Sequence, residues 1–248
     1  PQRNAEFLPL TPDQARARTG GPLPGFMPRP DDTPENKAAN LADGDKYIRA
    51  VQEAAGDNAV VGEDLGAVPD YVRPHLRKVG IAGFKICHWE VERGPDGMEH
   101  PYPPKKYDEC SFTTYATHDH PSMAAMWNEF RTMLDSHDPN ERIGAEWNLR
   151  ILSEIAGIPV KPGGRSYPPF DRRIQWKQLE ALLEAGSRYA AFMITDLYRM
   201  TERFNIPGTV GGSNWRVRMP FTVAAMSGVK KFAREGERLA NVIKETGR

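Results

Sequence analysis

The chain has 248 residues, 39% of them hydrophobic, which is enough for a substantial core in one large α/β domain or two smaller ones and excludes a disordered protein. Lysine plus arginine and aspartate plus glutamate both number 33, so no basic excess is available to neutralise phosphates or anionic lipid; nucleic acid and membrane are set aside as partners. The longest apolar runs, such as Tyr189 to Ile194, are too short to span a bilayer, and Cys87 and Cys110 are too few for a disulfide framework and lack metal-ligand spacing. Both read as buried thiols in a reducing, cytoplasmic compartment, and no cofactor is expected.

Residues 1–32 are dense in proline and glycine, which excludes long regular elements apart from a helical turn around Asp13 to Arg18, and the stretch reads as an ordered loop or lid. A helix follows, with Thr33 as cap, Pro34 in its first turn and Tyr47, Ile48, Val51 and Ala55 on its apolar face. It leads into Ala59-Val60-Val61-Gly62-Glu63-Asp64-Leu65-Gly66, small and β-branched residues running into two adjacent carboxylates, the pattern of a fully buried parallel strand with acids at its exit. Neighbouring residues at a strand end point to opposite sides, so one of Glu63 and Asp64 faces the sheet's functional end and the other is free to cap the next helix. A solvated Glu63 and a capping Asp64 remain an equally open reading of these residues alone.

Val72, Leu76 and Val79 predict a helix that tolerates Pro74 only in its first turn. Gly83 to Cys87 predicts a second strand, His88 to Asp108 a long loop carrying Trp89, Tyr102 and Tyr107, and Ser111 to Tyr115 a third strand ending at Thr117-His118-Asp119-His120-Pro121. Three helices are expected next: one from Ser122 burying Met123, Met126, Trp127 and Phe130; one from Pro139 burying Ile143, Trp147, Ile151 and Ile155; and one over Arg172 to Ala185 burying Leu179, Leu182 and Leu183. Tyr189 to Thr195 predicts a fourth buried strand with Asp196 at its end, and residues 221–248 a closing helix whose inner face holds Met226, Val229, Phe232, Leu239 and Ile243.

Strand followed by helix, repeated along residues 33–220, predicts an α/β fold with a parallel sheet and polar groups at the strand exits. Four strands cannot close an eight-stranded barrel. The sheet is therefore either open and doubly wound, or the second half of a (β/α)8 TIM-barrel type fold. Retaining glycosyl transfer requires a protonated carboxyl and a nucleophilic carboxylate about 5 Å apart. Glu63 fits the acid, since partial burial raises a carboxyl pKa, and Asp119 beside His118 fits a group that holds sugar hydroxyls. Trp89 and Trp215 fit sugar-stacking platforms, or packing beneath loops.

Val61-Gly62-Glu63-Asp64-Leu65-Gly66, Gly83-Phe84-Lys85-Ile86, Tyr115-Ala116-Thr117-His118-Asp119, Asp196-Leu197, Asn205-Ile206-Pro207-Gly208-Thr209 and Asn214-Trp215-Arg216, in this order, resemble the amylomaltases or disproportionating enzymes, 4-α-glucanotransferases of glycoside hydrolase family 77. The resemblance covers about Thr33 to Arg218. It implies an α-1,4-glucan or maltooligosaccharide substrate, Glu63 as general acid/base, Asp119 as transition-state stabiliser, His118 as a donor-sugar ligand, Asp64 and Asn205 in the substrate cleft, and no metal. Two departures stand out. His120 and Pro121 follow Thr117-His118-Asp119 where the family usually has Asn, and the family's Arg-x-Asp-His nucleophile motif is absent from these residues. The resemblance places that motif on a missing N-terminal half, upstream of Pro1, and makes residues 1–248 the C-terminal half of the catalytic barrel. Two competing readings are a metal-dependent TIM-barrel hydrolase built on His118 and His120, two apart on one strand, and a non-catalytic glucan-binding fragment.

Overall fold

The structure, a computed structural model, describes residues 13, 14, 17, 29–159 and 167–248. Residues 13, 14 and 17 are helical, as expected, and the rest of the expected N-terminal lid up to residue 28 lies outside the described residues. The chain divides into two compact units, residues 1–60 with 66–78, and residues 61–65 with 79–248.

In the first unit, α1 (Pro34–Ala55) starts where the sequence predicts: the Thr33 hydroxyl accepts the Asn36 N–H and Pro34 occupies the first turn. α2 (Val72–Lys78) keeps Pro74 within its first turn and buries Leu76. Lys37 binds Asp70 at 3.1 Å, His75 meets Asp45 at 2.8 Å, and Tyr71 donates to Asp31 at 3.0 Å, so polar side chains tie these segments together. The apolar face of α1 is not buried as expected: the helix has no buried residue, and Tyr47 and Val51 are half exposed.

The second unit is built on four parallel strands in the order β1 (Val61–Gly62), β2 (Ala82–Ile86), β5 (Ser111–Thr114) and β6 (Tyr189–Ala190). Neighbours in space are successive parallel strands of the chain, so the order shows no reversal. β1 is shorter and more open than expected, because it pairs on one side only and leaves Val61 36% exposed. The stretch from His88 to Asp108 is not irregular: β3 (Val91–Arg93) and β4 (Glu99–Pro101) form an antiparallel hairpin, followed by a 3-10 turn at Pro104–Lys106. A second difference concerns Tyr189 to Thr195. Only its first two residues are strand, and the chain turns at Met193 into a short helix, α6 (Ile194–Tyr198), which takes up Asp196.

Three helices pack in sequence beside the hairpin and the 3-10 turn. α3 (Met123–Met133) is capped by Ser122, whose Oγ accepts the Ala125 N–H; α4 (Pro139–Ile155) is capped by Asp138 and α5 (Arg172–Leu183) by Asp171. Their fully buried side chains, Trp127, Leu149, Ile151, Ile174, Trp176, Leu179 and Leu182, form the core with Tyr115 and Cys87. Each buried aliphatic side chain contributes roughly 1.5–3 kcal/mol over an exposed one. α4 buries Ile151 and packs Ile155 against the core as expected, but Ile143 is 66% exposed, and Ala145, Leu149 and Leu152 complete the inward face. The closing helix is two helices, α7 (Val223–Gly228) and α8 (Lys230–Glu245), broken at Val229, which is extended and exposed instead of inward-facing.

Candidate active site

The site residues gather at the C-terminal ends of the parallel strands. Beyond Gly62, the last paired residue of β1, Glu63 is exposed and not partly buried as expected, while Asp64 turns back into the sheet, 8% exposed. Asp64 Oδ1 accepts the Phe84 N–H at 2.6 Å, satisfying a donor of β2 where β1 has ended. The carboxylate lies so close over β2 that a Cβ on Gly83 would sit 2.7 Å from Asp64 Oδ2, so glycine is what that position admits. The pair thus divides as strand alternation requires, with Asp64 inward and Glu63 outward, and the cap is not the use made of Asp64.

Following β5, Thr117 to His120 form a tight turn closed by the His120 N–H to Thr117 O at 3.0 Å. His118 and His120 are therefore not two apart on a strand. His118 packs its ring 5.2 Å from that of Trp215 and places Nε2 3.3 Å from Asp119 Oδ1. His120 lies edge-on to Trp89, centroids 5.3 Å apart. Its Nδ1 receives the Thr117 backbone N–H at 3.2 Å and stands 2.8 Å from Thr117 Oγ1. A backbone N–H can only donate, so Nδ1 is an acceptor and the neutral ring carries its proton on Nε2. Burial lowers the His120 pKa; Asp119 opposes that, Arg203 adds to it, and the smaller effects of Glu63 and His118 oppose each other. Among the described residues no group of three or more His, Cys, Asp or Glu is placed to hold a metal ion.

Asp119 is the best-held member of the set. Asn205 Nδ2 donates to Asp119 Oδ1 at 2.6 Å, and Arg203 donates through Nη2 to Asp119 O at 2.7 Å and through Nε to Asn205 O at 2.9 Å. The Asn205 loop is organised in turn by Asn214, whose side chain accepts the Ile206 N–H at 3.1 Å and donates to Thr209 Oγ1 at 2.8 Å. Trp215 follows in the left-handed region at φ 58° with its N–H on Phe204 O, a strained position for a large side chain, and it presents the indole 66% exposed beside His118. Trp89 is 45% exposed.

Asp196, expected at a strand exit, is instead a buried anchor, 1% exposed. It accepts the Met123 N–H at 2.7 Å and the Met193 N–H at 3.0 Å, while Ser122 Oγ donates to Met200 O at 2.6 Å. These bonds fix the start of α3, and with it the turn carrying His118 and Asp119. Burial raises the Asp196 pKa to about 6 even though both backbone bonds pull it down. Arg203 was not anticipated; its only sequence signal is its place two residues before Asn205, and its bond to the Asp119 backbone crosses 84 positions.

Residues 26–223 match a family model described as 4-alpha-glucanotransferase. The 4-alpha-glucanotransferase of Mycobacterium bovis is 34% identical over 188 residues, covering 68% of this chain and 24% of that protein. Among solved structures, amylomaltase from Corynebacterium glutamicum superposes with a TM-score of 0.57 at 21% identity, over 75% of this chain and 29% of that one. Amylomaltase from Streptococcus agalactiae in complex with acarbose gives 0.53 at 18% identity, over 83% and 35%. The chain spans about a third of the length of the curated relatives it matches. With the matched segment running through Glu63, the Asp119 turn and the Asn205 loop alike, the chain belongs to the 4-alpha-glucanotransferase family.

Proposed function

We propose that the chain carries the acid/base part of a retaining transglycosylase that moves α-1,4-glucan segments between maltodextrins. The observation that carries this reading is the bracing of Asp119 by Asn205 and Arg203, because a carboxylate held by an amide on one oxygen keeps a fixed position against a sugar ring. Glu63, exposed and outward beside that turn, is the proton donor to the leaving oxygen and then the base that activates the acceptor hydroxyl. His118 and Asn205 line the sugar site, the Trp89 and Trp215 faces stack on glucose rings, and Asp64 shapes the cleft through its grip on β2. The acarbose complex of the Streptococcus agalactiae amylomaltase supports a maltooligosaccharide occupant.

The nucleophilic carboxylate belongs to the part of the family's length that this chain does not span. On this reading β1 and β6, the edges of the four-stranded sheet, pair with further strands to close a (β/α)8 barrel, of which residues 1–248 are the second half. The two free thiols, Cys87 and Cys110, support a reducing, cytoplasmic setting.

In a protein carrying this chain together with the rest of the family's length, Glu63→Gln keeps the shape of the side chain and removes its acidic proton. Transfer from maltotriose, read as glucose release, should fall by at least about 10²-fold at unchanged thermal stability. Wild-type rates from that variant would exclude Glu63 as the acid.

A further inference from the structure

Away from the Asp119 turn, a cavity of about 670 Å3 is lined by Arg172, Arg199, Lys230, Lys231, Arg234 and Glu235, five cations against one carboxylate. Glu235 does not balance the others, because it is already committed. It is 5% exposed and accepts from Arg172 Nε at 2.8 Å and from Trp176 Nε1 at 2.6 Å. Burial raises its pKa, yet the bonds from Arg172 and then Trp176 outweigh it, so the carboxylate stays ionised and fixed. Among the described residues, none of Arg199, Lys230, Lys231 and Arg234 is engaged in an ion pair. Like charges gathered on a concave wall repel one another, and they focus a positive potential that an anion relieves.

The backbone adds to that potential. Lys230 and Lys231 open the 16-residue helix α8, whose N-cap Val229 offers no side-chain acceptor, so both cations stand at the positive end of the helix. Arg199, which ends α6, is held in the left-handed region at φ 53°. The preceding Tyr198 packs edge-on against Phe232 of α8, ring centroids 4.6 Å apart, which ties the segment carrying Arg199 to α8.

We propose that this cavity binds a small ligand bearing two phosphate groups or a pyrophosphate, such as a sugar bisphosphate or a nucleoside diphosphate. The volume falls within the range of small-ligand pockets, and several separate cations suit several phosphate oxygens better than a single carboxylate. A neutral glucan has no use for them, so this ligand differs in kind from the substrate proposed above. A long polyanion fits less well, since the chain as a whole has no net charge to follow a phosphate backbone.

The test is calorimetric titration of the full chain with inorganic pyrophosphate at low and at moderate salt, without any glucan. One-to-one binding is expected, weakening with salt, together with a rise in the thermal midpoint at saturating pyrophosphate. The double variant Lys231→Gln/Arg234→Gln, with α-helical content checked by circular dichroism, should bind at least about tenfold more weakly. No binding by the wild type, equal binding by the double variant, or binding of duplex DNA in place of pyrophosphate would each overturn the proposal. Because the readout is binding alone, none of these outcomes depends on Glu63 or on transferase activity.

Discussion

Asn205 and Asp119 stand 86 positions apart in the chain and 2.6 Å apart in the structure, the amide Nδ2 donating to the carboxylate Oδ1. This bond joins the turn after β5 to the loop after α6. Arg203 reinforces it from the same loop by holding the Asp119 carbonyl.

Removing the amide with Asn205→Ala leaves Asp119 attached only through its backbone and through His118. Because a displacement of about 1 Å at a reacting centre can cost on the order of 10²-fold in rate, kcat on maltotriose should drop by roughly 10- to 100-fold while the fold is retained. Steady-state kinetics on the protein spanning the family's full length measures this. A loss confined to KM would assign Asn205 to sugar binding alone.

Gly83 and Asp64 form a coupled pair. Gly83→Ala should push the carboxylate off the Phe84 N–H and cost about 1–3 kcal/mol, and Asp64→Ala, which leaves that donor unpaired, should cost a similar amount. In the Asp64→Ala background the three atoms nearest the added methyl are gone, so the double variant should be scarcely less stable than Asp64→Ala. Urea denaturation of the four proteins gives the coupling, and strict additivity would show that the two residues do not interact.

His88 is 2% exposed, its Nδ1 has no hydrogen-bond partner among the described residues, and burial, with a smaller contribution from His120, lowers its pKa from 6.5 to about 3. Between those values the unfolded chain takes up a proton that the folded chain refuses. The stability linked to His88 is therefore complete above pH 6.5 and is lost as pH falls toward 3, at up to about 1.4 kcal/mol per pH unit. Asp196 acts in the opposite sense: its folded pKa is raised from 3.8 to about 6, so it recovers stability as pH falls across that narrower window. The His88 ring resonances should stay at their neutral positions from about pH 8 down to pH 5 in the folded protein, and Tm in His88→Gln should depend less on acid than in the wild type. A His88 midpoint near 6.5 would contradict the burial.

Local chemistry in the sequence was sufficient for the starts of the helices. Thr33 with Pro34, and Ser122 ahead of Met123, supply cap oxygens and a preset φ to their own first turns, and α1 and α3 begin there. The strands at Ala82–Ile86 and Ser111–Thr114 were likewise legible from their β-branched and aromatic residues, and the acids and imidazoles after them fall at the same end of the sheet because parallel strands all exit on one side. The identity of the candidate site residues therefore lay in the sequence, as an ordered set of short motifs.

What the sequence left undecided was whatever depends on partners far along the chain. Ile143 falls at helical spacing with the buried Ile151 just as Ala145 does with Leu149 and Leu152, and packing against α3 and α5 selects which of these positions is buried, leaving Ile143 exposed. Tyr189 to Thr195 is an apolar run that fits strand or helix, and the chain leaves the sheet after Ala190 because the Asp196 carboxylate takes the Met193 and Met123 N–H groups. That bond turns an expected site acid into a buried anchor. The division of labour between Glu63 and Asp64 was settled the same way: alternation required that one face in, and the free Phe84 N–H over Gly83 decided that it is Asp64. Residue type fixes what a side chain can donate or accept, and the tertiary structure fixes which group is within 3 Å to answer it.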